Sequence, residues 1–115
     1  MRKTYYYENL TYNVDDETDV NFTIKFISDG NSGYSTINTP GPTNPEIENE
    51  GTVFIGKGKD LKNQQINCVS SFDNPIPEED EICIEYWIND QLIQRHKNLK
   101  SEEERPVIDL TITFE

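Results

Sequence analysis

Cys68, Cys83 and His96 are the side chains of this chain best suited to covalent or metal chemistry. A thiolate beside an imidazole serves nucleophilic catalysis when a pocket, an oriented base and an oxyanion donor complete the site. Two thiolates and an imidazole also make three of the four ligands of a zinc centre. The spacing C-x14-C-x12-H is not a compact chelating motif, however. Two cysteines do not suit a disulfide-built scaffold, and neighbouring strands seldom allow a bridge between them. The expectation is a non-enzymatic chain with no catalytic residue, metal or cofactor.

The carboxylates are the second candidate set. Asp15, Asp16, Glu17 and Asp19 crowd one turn, where converging oxygens would suit Ca²⁺. The EF-hand loop pattern is missing, so a solvated acidic turn explains them more simply. Glu78-Glu79-Asp80-Glu81 and Glu102-Glu103-Glu104 read the same way. With 22 acidic residues, carboxylate pairs of the kind glycosidases use arise without design. Gly56-Lys57-Gly58-Lys59 lacks the longer glycine frame and the Lys-Ser/Thr ending of a phosphate loop.

The formal net charge of −12 repels nucleic-acid phosphates and anionic membranes. It serves solubility, and it tolerates cations, a basic protein partner, or a neutral small-molecule or saccharide ligand. No apolar run approaches membrane-spanning length. Met1-Arg2-Lys3 leads into Thr4-Tyr5-Tyr6-Tyr7-Glu8 rather than into an apolar signal core, so a cytoplasmic location is expected. A secreted mature domain stripped of its leader would read alike.

The elements that must carry these residues are strands. Residues 1–115 suit one domain with a thin core. Val20, Phe22, Ile24 and Phe26 alternate with polar residues, as do Ile66, Cys68, Ser70 and Phe72, and again Ile108, Leu110, Ile112 and Phe114. Period-two alternation buries one face of a strand. Thr4–Tyr12, Tyr34–Asn38 and Thr52–Ile55 are further candidates. On the first, Tyr5 and Tyr7 share one face, and Tyr6, Glu8 and Leu10 the other. Pro40, Pro42 and Pro45 make residues 39–45 a loop. Residues 98–106 are polar, with room for one helical turn. Seven or eight strands without a long helix predict a two-sheet antiparallel β-sandwich, immunoglobulin-like or jelly-roll-like, with a small barrel as the alternative.

Glu81–Lys97 reads as a hairpin around a two-residue Asn89-Asp90 turn. Counting outward pairs Ile88 with Gln91, Trp87 with Leu92, Tyr86 with Ile93, Glu85 with Gln94, Ile84 with Arg95 and Cys83 with His96. Ile82, Ile84, Tyr86, Ile88 and Ile93 then face the core. Cys83, Glu85, Trp87, Leu92, Gln94 and His96 face outward. Trp87 and Leu92 are the apolar pair on that polar face. They lie beneath the proline loop or a terminal segment, or stack a sugar, or anchor a partner. The partner-binding candidates are Trp87, Leu92, Glu85 and Gln94. The functional expectation is an interaction or structural module, such as an accessory subunit of an assembly, acting through a partner protein or by self-association. A carbohydrate- or calcium-binding domain is the alternative.

Overall fold

The computed structural model describes residues 2–115. Within them, nine strands form two sheets. The strands are β1 (Thr4–Tyr12), β2 (Asp19–Phe26), β3 (Ser32–Asn38), β4 (Glu46–Glu48), β5 (Gly51–Lys57), β6 (Gln65–Asp73), β7 (Glu81–Ile88), β8 (Gln91–Leu99) and β9 (Val107–Phe114), with one short helix α1 (Gly58–Leu61). One sheet has the order β1-β9-β6-β3-β4 and the other β5-β2-β7-β8. Neither closes into a barrel. The sandwich expected from the sequence is present, antiparallel throughout except for β1, which runs parallel to β9.

The alternating runs bury as their pattern dictates. Val20, Phe22 and Ile24 of β2 face Ile66, Cys68 and Phe72 of β6 and Ile108, Leu110, Ile112 and Phe114 of β9 in one continuous core. Each strand supplies every second residue, so few apolar side chains suffice. The two layers are also joined by polar contacts. Tyr86 of β7 reaches across the core and donates to Ser70 Oγ at 3.0 Å, and Ser70 lies 2.7 Å from Ser35 Oγ. Phe26 of one sheet meets Phe72 of the other edge to face, with ring centroids 5.8 Å apart.

Three edge strands carry irregularities, and the fourth is only three residues long. In β1 the pairing slips between Tyr7 and Leu10, where Asn9 takes φ 64°. Leu10 therefore packs against the core with Tyr5 and Tyr7 instead of facing away from them. In β5, Ile55 is left between the pairs Val20–Gly56 and Asn21–Phe54. In β8, Ile93 is left between Trp87–Leu92 and Tyr86–Gln94. Bulges and short edges blunt strand addition, so the edges lend no support to self-association through them.

Residues 98–106 hold turns and no helix, and β8 runs on to Leu99. Residues 58–61 wind into α1, with Leu61 buried. The acidic turn lies against this segment. Gly58 N donates to Thr18 O and Lys59 N to Asp16 O. A Cβ on Gly58 would stand 1.8 Å from the Asp15 carbonyl oxygen, so a glycine is required there.

Candidate functional site

The Asn89-Asp90 turn forms as its sequence suggests, with Asn89 at φ 51° and Ile88 opposite Gln91. Trp87 pairs with Leu92, also as expected. The bulge at Ile93 then shifts every later pair by one residue. Tyr86 faces Gln94, Glu85 faces Arg95, Ile84 faces His96 and Cys83 faces Lys97. A one-residue slip exchanges the two faces of a strand. The consequences are specific. Gln94 sits opposite the buried Tyr86 and leaves the Trp87 face. Arg95 and Lys97 turn outward, and His96 turns into the core. Cys83 and His96 therefore lie on opposite faces, and the thiol–imidazole pairing does not exist.

The outer face of the four-stranded sheet is built in rows. Thr52 of β5, Thr23 of β2, Trp87 of β7 and Leu92 of β8 form one row. Lys25, Glu85 and Arg95 form the next. Trp87 is fixed from two sides. Its indole N–H donates to Glu85 Oε1 at 3.0 Å, and the Lys25 ammonium lies 4.1 Å from its ring centroid. Glu85 Oε2 lies 3.7 Å from the Arg95 guanidinium. Leu92 is 42% exposed, and Phe54 at the far edge of the sheet is 55% exposed. The proline loop does not cover Leu92. It lines a groove of about 450 Å³ with Phe54, Ile55 and Leu61 instead. Lys25 also occupies one face of the Trp87 ring, where a stacked sugar would need to lie.

Cys83 is buried on this outer side. Its thiol accepts from Arg95 Nε at 3.3 Å, and its backbone is bonded by Ile27, Ser28 and Asn31. Cys68 lies in the core 3.7 Å from Ser70, and burial pushes its thiol up to about 12. Both cysteines are free. Cys68 is thus an inert thiol rather than a nucleophile.

A second cluster lies between the sheets, and counting from the turn did not reveal it. His96 is fully buried. Its Nδ1 is 2.7 Å from the Tyr7 hydroxyl, and its Nε2 is 2.7 Å from Asn98 Oδ1. Asn98 Nδ2 donates to the carbonyls of Leu99 and Glu103, both at 2.9 Å. The Asn98 amide is thereby oriented, and Oδ1 must accept from Nε2–H. Nδ1 is then the acceptor of the Tyr7 O–H. Burial first, and then the neighbouring Tyr5 phenol, disfavour the phenolate and raise the pKa of Tyr7, which keeps that proton in place. Burial lowers the pKa of His96, against a smaller opposing effect of Asn98. The imidazole is therefore neutral, with its proton on Nε2. Tyr5 stacks edge-on at 4.6 Å between ring centroids, and its own buried hydroxyl has no partner. The sequence did carry a signal for this arrangement. Arg95 and Lys97, two residues apart, mark one side of β8 as solvent and leave His96 and Asn98 for the other.

The acidic turn does not assemble a calcium site. Asp19 pairs with Lys57 at 3.1 Å and Asp16 with Lys62 at 2.9 Å, so lysines already neutralise the two carboxylates. Among the described residues no group of three or more His, Cys, Asp or Glu is placed to hold a metal ion. Comparison with protein-family models, with curated proteins and with solved structures finds no match.

Proposed function

We propose that this chain is a non-enzymatic interaction module whose contact surface is the outer face of the four-stranded sheet, centred on Trp87 and Leu92. One observation carries the reading. The row Thr52–Thr23–Trp87–Leu92 holds an indole, clamped by Glu85 and Lys25, next to an aliphatic side chain that its own fold leaves uncovered. Immobilised aromatic anchors are what binding energy concentrates on, because little rotamer freedom remains to be lost.

Local charge refines the partner. In the row beside Trp87, Lys25 and Arg95 flank the single carboxylate Glu85. The acidic surplus of the chain lies elsewhere on its surface. The partner is therefore a protein surface with an apolar recess for Leu92, while the net charge of −12 steers a basic molecule toward it from a distance.

Affinity capture from extracts of the source cells tests this with three forms: wild type, Leu92→Asp and Tyr6→Asp. Tyr6 is 66% exposed and belongs to the other sheet, so it serves as a control. The wild type and Tyr6→Asp should retain the same protein. Leu92→Asp should weaken its retention about 30-fold or more, the effect of a central contact residue. Equal retention by all three forms would remove this face from consideration.

A further inference from the structure

His96 takes no part in the proposed contact face, yet it joins β1, β8 and the loop before β9 from inside the fold. Through Nδ1 it holds Tyr7 of β1. Through Nε2 and Asn98 it holds the carbonyls of Leu99 and Glu103 in the loop that leads to β9. The Glu103 carboxylate in turn accepts from the backbone N–H groups of Lys3 and Arg105. β1 is an edge strand. Within its sheet it pairs with β9 alone; across the layers it is bonded at Tyr7–His96 on β8 and at Tyr12, whose hydroxyl accepts from Asn89 Nδ2 at 3.5 Å.

The surroundings of the imidazole suit the neutral form. From β1 it meets Tyr5 and Tyr7, and from β8 the neutral Asn98. On β7 it lies opposite Ile84. The strand behind β1 presents Ile108 and Leu110 in register with Tyr5 and Tyr7. The loop offers carbonyl groups, and the Glu103 carboxylate is taken up by Lys3 and Arg105. Among the described residues no ion pair includes His96. The Lys3 ammonium, 4.9 Å from the centre of the Tyr5 ring, has the wrong sign to balance an imidazolium. A proton arriving at Nδ1 reverses this bond: Nδ1–H would donate to the Tyr7 oxygen, and the hydroxyl hydrogen would have to turn toward another acceptor. A cation would then be buried without a counter-charge.

We propose that the Tyr7–His96–Asn98 chain is an acid-sensitive latch: it holds β1 and the 99–105 loop closed while the imidazole is neutral, and it releases them when the imidazole takes up a proton. Release uncovers the edge of β9, an eight-residue strand whose own pairing with β6 is unbulged. An uncovered regular edge accepts another strand readily.

Amide hydrogen exchange between about pH 7.5 and about pH 5.5, corrected for intrinsic rates, tests the latch. In the wild type, protection of the β1 amides and of residues 99–105 should fall, approaching about tenfold per pH unit as expected for one linked proton. Protection of β3 and β6 should hold. His96→Gln, which keeps a neutral donor and acceptor, should lose the pH dependence in β1. The imidazole ¹⁵N shifts of the wild type should titrate together with β1 opening, which keeps the test decisive if the variant folds poorly. The latch is overturned if β1 protection does not change with pH, if all strands lose protection in parallel, or if β1 opens without titration of His96.

Discussion

The hydroxyl of Tyr7 stands 2.7 Å from Nδ1 of His96, so the N-terminal strand of one sheet is bonded to the edge strand of the other through the only histidine of the chain. Tyr7→Phe removes the donor and leaves a buried nitrogen unsatisfied. A loss of about 1–3 kcal/mol is expected near neutral pH, measured by urea unfolding. An unchanged midpoint would mean that water replaces the hydroxyl.

The same contact sets an acid response of global stability. The folded pKa of His96 lies below its ordinary 6.5, chiefly through burial. Folding then binds fewer protons than the unfolded chain does. The stability that this neutral histidine supports is complete above about pH 6.5 and is lost as pH falls through the lower folded value. Glu103 follows at more acid pH. The backbone N–H groups of Lys3 and Arg105 hold its pKa below 4.5, so its contribution is present above 4.5 and lost as pH falls through the depressed value. Urea midpoints plotted against pH should show the histidine step first. A flat profile down to the carboxylate range would contradict the buried neutral imidazole.

The hydroxyls of the core offer a graded comparison. Tyr86→Phe removes one donor and leaves Ser70 bonded to Ser35, so a loss of about 1 kcal/mol is expected. Ser70→Ala strips the partner from both Tyr86 and Ser35, each of them buried. It should cost more, about 1–3 kcal/mol, although each substitution removes a single oxygen. The reverse order in chemical denaturation would show that the layers are not bridged at Ser70.

Cys68 should resist alkylation in the native protein at mildly alkaline pH, because its thiol is buried and its pKa raised to about 12. Both cysteines should take up label once the chain is unfolded in denaturant. Native labelling of Cys68, located by peptide mass, would contradict its placement in the core.

Much of this architecture can be read from the residues, and its failures have a common cause. The strands around Phe22, Cys68 and Leu110 announce themselves because one face of each is uniformly apolar. The Asn89-Asp90 turn announces itself by residue type. What stayed hidden is the single extra residue. Ile93 is as apolar as a paired core residue, so nothing in its identity marks it as the one left over. The slip behind it moved His96 inward and Gln94 away from Trp87. The irregularity between Tyr7 and Leu10 hid the burial of Leu10 in the same way. β4 escaped notice because three residues with one apolar member, Ile47, carry no period. The Trp87–Leu92 pair was legible because it precedes the bulge.

The latch, and the placing of Arg95 beside Glu85 on the contact face, rest on that register, and the chain has a single histidine with which to read it. Diethylpyrocarbonate modifies accessible neutral imidazoles. The register with Ile93 unpaired predicts no carbethoxyhistidine in the native protein at neutral pH and one per chain after unfolding. Rapid modification of His96 in the native state would place it on the solvent face beside Trp87 and contradict the account.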